Sequence, residues 1–388
     1  MNTKTNNHLI IIPILLFIVA CEDIDNNAVK FVDGKFLLSF ENQSQSPFFT
    51  DKVFRNIEMT PLETDDHCLI GNREHLAGSR PELKLDESYI FIQDYQQQVV
   101  FRFDKDGKFL NRIGSRGRGP MEYISIEDFE INPVDSEIEI LSQQGKMVRY
   151  NYDGTFESSH NYDKNATSFI NTGNNYWFFL SAWQIGDERL IKISKDGIIS
   201  KKFLPNKMNW IPISLDRNFS KCGDTFTFKE MYYQSVYQIT EDGPVEKTII
   251  DFGIYQIPEQ SYSKEFDMAM EELNTNGWIT IDKYLENDQY IYLFFWLWKS
   301  DEKDTNFHWL INKKTKNSVL QHFTTENPLY EMMQEAKLLT SNNKLIFLAD
   351  AQMLKTCTDT FFNTSTNFKS SLSEDDNPVI ISLQINDF

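Results

Sequence analysis

The stretch Val100–Tyr123, VFRFDKDGKFLNRIGSRGRGPMEY, has the pattern of two strands joined by a tight turn and followed by a basic, glycine-rich loop. Phe101 and Phe103 alternate with other residues before the turn Asp-Lys-Asp-Gly at 104–107, and Phe109 resumes the pattern after it. Alternation with a period of two on both sides of an Asp-Gly turn is typical of a β-hairpin. Gly107 supplies the positive φ that such a turn requires.

Weaker copies of this unit recur along the chain. The turn glycines are Gly107, Gly154, Gly197 and Gly243, at separations of 47, 43 and 46 residues, and Leu310–Lys316 has the form of a degenerate fifth copy. Periods of roughly 40–50 residues, each with several short strands, are typical of β-propeller blades. The sequence therefore predicts an all-β fold, a six-bladed β-propeller of four-stranded antiparallel blades over residues 35–388. A large β-sandwich with unrelated hairpins is the alternative.

Strand-like runs place the blades in order along the chain. The predicted blades cover residues 82–113, 126–159, 168–204, 211–250, 277–323 and 337–385. The fourth begins with a predicted strand Ile211–Ser214. Either Phe36–Phe40 or Val53–Leu62 is expected to complete the sixth, because propellers pair strands from the two ends of the chain and so remove open edges.

Two segments depart from the strand pattern. Pro258–Thr275 predicts a short helical insertion before blade five, since Phe266, Met270 and Leu273 follow capping candidates at Ser261–Glu265 with helical spacing. The polar, serine-rich segment Asn363–Asn377 predicts a mobile loop.

Residues 1–20 have the organisation of a lipoprotein signal peptide. Lys4 precedes the apolar run Leu9–Ala20, which is shorter than the ~20 residues that span a bilayer. Ile18–Cys21 resembles a bacterial lipobox, in which Cys21 carries the lipid. Residues 21–34 are then expected to form a lipidated flexible tether, and their acidic start resembles the surface-export signals of Bacteroidetes lipoproteins. The alternative is an ordinary secretory signal with an incidental cysteine.

Charge and cysteine content narrow the choice of partners. The formal net charge of −19 and the pI of about 4.8 argue against nucleic acid and against anionic lipid as the main partner. Cys68, Cys222 and Cys357 remain after Cys21, so at most one disulfide can form. Their spacing is not that of a metal site, and buried free thiols are expected.

The turn and loop motifs resemble those of a known family. Phe103–Phe109 and Gly117–Tyr123, with Met59–Thr64 as an entering strand and Asn377–Ile381 as a closing strand, are similar to the six-bladed β-propeller lipoproteins common in Bacteroidetes. The resemblance spans most of residues 50–388. It implies a propeller held at the cell envelope as an outer-membrane lipoprotein, on the periplasmic or the cell-surface face. The family is distantly similar to NHL-type propellers, which mostly bind partners and sometimes hydrolyse or lyse small substrates.

Two groups of residues are candidates for ligand binding. Arg116 and Arg118 lie between glycines, where they could hold a carboxylate, a sulfate or a uronic acid. The alternative is a connecting loop whose arginines pair with Glu122 or Glu127. Trp296 and Trp298 share one face of a predicted strand and could stack on sugar rings; the alternative for them is packing between blades.

Evidence for catalysis is weaker. The histidines after the signal lie in no catalytic or metal-binding motif: His67, His75, His160, His308 and His322. Asp128, Glu130 and Glu230 are candidates to contribute to a Ca²⁺ site on the axis, although surface solvation explains each of them as well. No cofactor is therefore expected, and Ca²⁺ is the one alternative left open.

The sequence thus favours a binding protein over an enzyme. We expect an envelope-anchored lipoprotein that binds a glycan, a peptide or an envelope protein in nutrient capture or envelope sensing, and that meets the membrane through its lipid alone. One alternative is a metal-assisted hydrolase or lyase acting on a sugar or lactone. Another is an assembly scaffold with a stable partner and no small ligand.

Overall fold

A computed structural model describes residues 28–71, 81–180, 188–208, 217–299, 305–362 and 366–388. These residues form six antiparallel sheets that follow one another as the blades of a propeller. The predicted six-bladed β-propeller is therefore confirmed. The signal peptide, Cys21 and the first part of the predicted tether lie outside the described residues.

The chain contributes three strands before the first complete blade: β1 (Val29–Val32), β2 (Lys35–Ser39) and β3 (Phe54–Pro61). Blade one contains β4 (Glu82–Leu85), β5 (Tyr89–Asp94), β6 (Val99–Asp104) and β7 (Phe109–Ile113). Blade two contains β8 (Asp128–Asn132), β9 (Glu137–Ser142), β10 (Lys146–Asn151) and β11 (Phe156–Asn161). Blade three contains β12 (Ala166–Asn171), β13 (Asn175–Leu180), β14 (Glu188–Ser194) and β15 (Ile199–Pro205).

Blade four contains β16 (Phe219–Cys222), β17 (Thr225–Phe228), β18 (Ser235–Ile239) and β19 (Pro244–Asp251). Helix α1 (Phe266–Asn276) precedes blade five, which contains β20 (Trp278–Glu286), β21 (Tyr290–Trp298), β22 (Thr305–Asn312) and β23 (Ser318–Thr324). Blade six contains β24 (Leu338–Leu339), β25 (Lys344–Ala349), β26 (Val379–Ile385) and β3. Short helices flank its strands: α2 (Leu329–Met332), α3 (Ala351–Thr356) and α4 (Thr366–Ser371).

The two ends of the chain close the ring in blade six. Strand β3 pairs antiparallel with β26, so that Pro61 lies opposite Val379. This confirms Val53–Leu62 as the closing strand. The other candidate, Phe36–Phe40, was wrong: β2 instead pairs parallel with β19 and extends blade four to six strands. The physical reason is that Phe36 and Leu38 are buried in the apolar cluster between blades four and five.

The chain before β3 covers the outer edges of three consecutive blades. The hairpin β1–β2 lies on blade four, and β3 is the outer strand of blade six. Between them, Gln45 bridges to Leu320 of blade five, and the Ser46 amide donates to the Leu320 carbonyl at 2.8 Å. The predicted tether over residues 21–34 is wrong from Val29 onward, because this segment is paired into a sheet.

The recurring Asp-Gly turns join the third and fourth strands of the blades. In blade one, Asp104 Oδ1 accepts from the amides of Asp106 and Lys108 at 3.0 and 2.9 Å, and Gly107 has φ +86°. A Cβ at Gly107 would lie 2.1 Å from the carbonyl oxygen of Pro61. Each turn thus packs on the end of the preceding blade's outer strand, and the glycine satisfies both backbone conformation and space.

Three local predictions need revision. The predicted first strand of blade four, Ile211–Ser214, lies outside the described residues, and the inner strand there is Phe219–Cys222. Helix α1 is confirmed, but Ser261 does not cap it and donates instead to Glu272 at 2.6 Å. The segment predicted as a mobile loop contains α4, because Phe368 packs on the apolar cluster between blades five and six.

Apolar side chains fill the spaces between blades. Between blades one and two, the rings of Phe91 and Tyr152 lie 4.7 Å apart. The largest cluster, between blades five and six, also encloses His308, whose Nδ1 lies 3.0 Å from the Tyr292 hydroxyl. Cys68, Cys222 and Cys357 are free thiols. None of the helices in the described ranges has the length and apolar character needed to cross a membrane.

Candidate functional site

The six inner strands surround the axis of the propeller. They are β4, β8, β12, β16, β20 and β24, the first strand of each blade in the chain. Because the chain always passes from the outer part of one blade to the inner strand of the next, all six inner strands begin at the same end of the axis. We call this end the top face. The connections to the inner strands and helix α1 lie there.

Charged side chains meet at the axis near the top face. We call this group the axial cluster; its members come from five of the six blades and lie on inner strands or shortly before them: Glu82, Lys84, Asp128, Glu130, Arg217, Lys283 and Lys337. All are buried except Lys84, which is half-buried. Charges are rarely buried unless they are paired, so each contact here matters for the chemistry of the site.

Arg217 crosses the axis from blade four. Its Nε lies 3.3 Å from Asp128 Oδ1 in blade two, and one Nη donates to Gln93 and to the Tyr95 hydroxyl in blade one, at 2.7 and 2.5 Å. Burial alone would lower the pKa of Arg217, but the carboxylate of Asp128 leads the effects that raise it above its ordinary value. Asp128 is fixed in turn, because its Oδ2 accepts from the Phe169 amide at 3.0 Å.

Glu82 lies among cations from four blades. Its carboxylate is 3.4 Å from Lys283 Nζ and 3.9 Å from Lys337 Nζ. Burial raises the pKa of Glu82, but nearby cations more than offset this and hold it below its usual value: Lys283, Lys337, Arg217 and Lys84. Glu82 is therefore ionised at neutral pH, and its ion pairs are long ones.

Lys84 and Glu130 form a close ion pair between blades one and two. Burial raises the pKa of Glu130 more than Lys84 lowers it, and the neighbouring charge of Asp128 adds to the rise. Lys337 likewise makes a close pair with Glu335. Lys84, Glu130 and Lys337 thus each have a close partner of opposite charge.

Two members of the cluster have spare hydrogen-bond donors. The Lys283 ammonium, on a side chain that is 10% exposed, has three N–H groups and, among the residues that the structure describes, one acceptor, Glu82 at 3.4 Å. The buried Nε of Arg217 has no hydrogen-bond acceptor within the described part of the chain, although Asp128 lies within ion-pair distance. Buried donors are normally satisfied. The axis can therefore accept a group that is rich in acceptor oxygens.

The carboxylates considered for Ca²⁺ are paired with basic side chains. Asp128 faces Arg217, Glu130 pairs with Lys84, and Glu230 pairs with Arg189. Burial raises the pKa of Glu230 to about 7, against the opposing effect of Arg189. Among the described residues, no group of three or more His, Cys, Asp and Glu side chains is placed to hold a metal ion.

Arg116 and Arg118 lie in a connection that is folded on itself. The Arg116 Nε donates to the Ile124 carbonyl at 3.2 Å, and the Gly117 amide donates to the Tyr123 carbonyl at 2.8 Å. Glu122 accepts from the Gly119 amide at 2.8 Å rather than from an arginine. Both arginine side chains are exposed on the way from blade one to blade two. Arg118 remains available to solvent for a ligand.

Trp296 and Trp298 lie in blade five at the top face. The Trp296 indole donates to Asp282 at 2.6 Å and meets the Tyr330 ring edge-on at 5.7 Å. Trp298 donates to Thr280 at 2.6 Å and is 39% exposed. Blade five stands opposite blade two, so the two predicted groups lie on opposite sides of the ring, with the axial cluster between them.

A cleft of about 430 Å³ lies at the rim between blades six and one. Glu63 and Asp376 line it, and both carboxylates already accept from backbone amides, of Phe109 at 2.8 Å and of Ser373 at 2.7 Å. The carboxylates of this cleft thus hold the local backbone beside the turn motif. The axial cluster is therefore the stronger candidate for a ligand site.

Comparison with known proteins gives the family. The family described as Domain of unknown function (DUF4934) matches residues 36–384. The chain belongs to the DUF4934 family. A search of curated proteins finds no significant match.

Two solved structures share the fold of this DUF4934 chain. A candidate exported protein from Bacteroides fragilis NCTC 9343 is 16% identical, with a TM-score of 0.70, over 90% of this chain and 100% of that one. A member of the DUF4221 family from Bacteroides vulgatus ATCC 8482 is 12% identical, with a TM-score of 0.53, over 87% of this chain and 98% of that one. At these identities the likeness establishes the fold alone.

The sequence of this DUF4934 chain indicated only part of the axial cluster. Asp128 and Glu130 were candidates, but for a different chemistry. The other five members were missed: Glu82, Lys84, Arg217, Lys283 and Lys337. One pattern could have found some of them: charged residues at alternate positions of a blade's first strand, as in Glu82-Leu83-Lys84 and Asp128-Phe129-Glu130. Arg217 precedes its strand, and only the structure brings it across the axis.

Proposed function

We propose that this protein is an envelope-anchored lipoprotein whose propeller binds an anionic ligand at the top of its axis. The ligand is a carboxylate- or sulfate-bearing glycan or peptide, or an acidic segment of an envelope protein. Nutrient capture and envelope sensing are the two settings that fit such a protein. The lipobox-like sequence before Cys21 supports the anchor.

The observation that carries this proposal is the buried ammonium of Lys283, for which the described ranges provide a single, distant acceptor. An anion offers only acceptor atoms, so it can accept from the N–H groups of Lys283 and from the Arg217 Nε, which the described residues leave without a close acceptor. Arg217 is held by Gln93 and Tyr95, so little ordering of the site is needed on binding.

Thermal unfolding with a ligand panel tests the proposal. The mature chain carrying Cys21→Ser is unfolded with oligogalacturonate, sulfated oligosaccharides and an acidic peptide, and with neutral oligosaccharides of matched length as controls. A ligand that binds only the native state adds RT ln(1 + [L]/Kd), about 2.7 kcal/mol at a hundredfold excess over Kd. Calcium and a chelator are included because a hydrolase would require a metal.

The expected result is stabilisation by one anionic class and by none of the neutral controls, and loss of that stabilisation in Lys283→Met. Stabilisation by calcium with none by any anion would contradict the proposal and favour a metal-dependent enzyme. The scaffold alternative would be favoured by two results together. No compound changes the unfolding temperature, and the protein captures from envelope extract a stable partner that binds through a surface without net negative charge.

A further inference from the structure

The N-terminal hairpin forms the outer edge of blade four. In the six-stranded sheet of that blade, β1 is the last strand, and no other described strand pairs with its outer side. Asp33 and Gly34, both at positive φ, form the turn between β1 and β2. The hairpin therefore projects at the rim of the ring, where the described chain begins.

The end of this hairpin is apolar, exposed and flanked by lysines. Phe31 is 53% exposed and Val32 is 47% exposed. Lys30 is exposed beside them, and the Lys316 ammonium lies 5.1 Å from the centre of the Phe31 ring. Such a group of apolar and basic side chains is unusual in a chain with a net charge of −19. The same combination is typical of surfaces that rest on a membrane interface.

The hairpin is also close in sequence to the lipid attachment residue. Ala28, the first described residue, is 28 − 21 = 7 positions after Cys21. Seven extended residues reach at most about 25 Å. A lipid on Cys21 therefore keeps the edge of blade four within that distance of the membrane.

We propose that Phe31 and Val32 rest in the headgroup region of the leaflet that holds the lipid. The propeller then stands on the rim of blade four, with its axis along the membrane surface and the top face open to the side. This inference rests on the lipid anchor of the proposed function and adds a second membrane contact to it.

Site-specific fluorescence on vesicles tests the contact. The lipidated mature protein carrying Cys222→Ser is labelled with an environment-sensitive dye at Phe31→Cys or at Leu110→Cys. Leu110 is 39% exposed on β7 of blade one, which is opposite blade four, so it is the matched control. Cys68 and Cys357 are buried and remain. The vesicles contain phosphatidylethanolamine and phosphatidylglycerol, with or without headgroup spin labels.

At position 31 we expect a blue shift on reconstitution and quenching at least about twofold stronger than at position 110. Equal quenching at both positions would overturn the inference. A blue shift without lipid quenching, accompanied by a doubled mass in solution, would also overturn it and assign β1 to strand pairing between two copies.

Failure of the anchor is separated from failure of the contact. Mass spectrometry of the purified protein shows whether Cys21 carries lipid, which tests the anchor alone. If it does not, residues 1–21 are replaced by hexahistidine and the same two labels are compared on vesicles with nickel-chelating lipids. Stronger quenching at position 31 there would support the hairpin contact even though the anchor had failed. Equal quenching would reject both.

Discussion

The spaces between the blades and the axis of the propeller are buried to a similar degree but have opposite chemistry. Between blades one and two, Phe91 and Tyr152 pack ring against ring in an apolar cluster. At the axis, Arg217, Asp128 and Glu82 meet as ion pairs and hydrogen bonds. Replacing buried ion pairs by apolar groups is often neutral or stabilising. Stability therefore does not explain the axial charges, whereas the proposed binding of an anion does; the apolar spaces supply the stability.

The largest effect is expected from an apolar space. Phe91 is 0% exposed, so Phe91→Ala leaves a cavity and should lower the free energy of unfolding by about 3–5 kcal/mol. Denaturant unfolding measures this difference. Leu110→Ala on the exposed side of the same blade is the control and should change it by less than about 0.5 kcal/mol. Similar losses in both variants would show that this space does not carry the stability of the ring.

Substitution of a turn glycine tests the contact between successive blades. Gly107→Ala places a Cβ against the Pro61 carbonyl, whereas Gly173→Ala, at nearly the same φ of +90°, meets no atom within 4 Å. Gly107→Ala should lower the free energy of unfolding by about 3 kcal/mol and Gly173→Ala by about 1 kcal/mol, because only Gly107→Ala adds a clash to backbone strain. Equal unfolding midpoints for the two variants would indicate that the turn at Gly107 does not pack on the neighbouring blade.

The pH dependence of stability tests the buried ring of His308. Burial lowers its pKa to about 3 in the folded protein, from an ordinary value of 6.5. The unfolded chain therefore takes up a proton below pH 6.5 and the folded one does not, so stability is lost as the pH falls from 6.5 toward 3. By pH 4.5 the loss from this residue is about 2–3 kcal/mol.

The free energy of unfolding of wild type and of His308→Gln is measured between pH 7 and 4.5. The contribution of His308 is the change, over this pH range, in the difference between the two free energies. Glu230 works in the other direction, because its raised pKa lets the folded protein take up a proton first as the pH falls toward 4.5. The comparison cancels that effect. His322→Gln, at an exposed position of the same blade, is the control. A constant difference across the range would contradict a buried, neutral His308.

Apart from the control variants, the smallest loss of stability is expected from Lys283→Met at the axis. Lys283→Met removes one ion pair of 3.4 Å while Lys337, Arg217 and Lys84 still surround Glu82, so the free energy of unfolding should fall by only about 1–2 kcal/mol. Glu82→Gln should cost more than Lys283→Met, because it leaves several cations without their shared carboxylate. The reverse order would show that Lys283, not Glu82, organises the axial cluster.

The blades were predictable from sequence for a local reason. Strand alternation and the turns at Gly107, Gly154 and Gly197 act within a few residues, so the pattern is readable without the rest of the molecule. That either Phe36–Phe40 or Val53–Leu62 completes blade six also followed from a general rule of ring closure. The parallel pairing of β2 with β19 did not, because it depends on where Phe36 and Leu38 find an apolar space far along the chain.

The candidate site was less predictable because it is assembled from five blades. Lys283 and Arg217 are 66 residues apart (283 − 217) and meet Glu82, which lies a further 135 residues before Arg217 (217 − 82). No local pattern brings such residues together. The arginine loop stood out in the sequence because of its glycines, and these are explained by the close approach of Tyr123 to Gly114 and of Glu122 to Gly117.

Equilibrium binding of the anionic ligand found in the unfolding screen is the decisive measurement of whether the axial cluster is the binding site. Calorimetric titrations compare wild type, Lys283→Met, and the double variant Arg116→Ala with Arg118→Ala. We expect Lys283→Met to lose affinity by about tenfold or more, equivalent to about 1.4 kcal/mol, and the double variant to bind as tightly as wild type. Full affinity in Lys283→Met and its loss in the double variant would exclude the axial site and place binding in the loop between blades one and two.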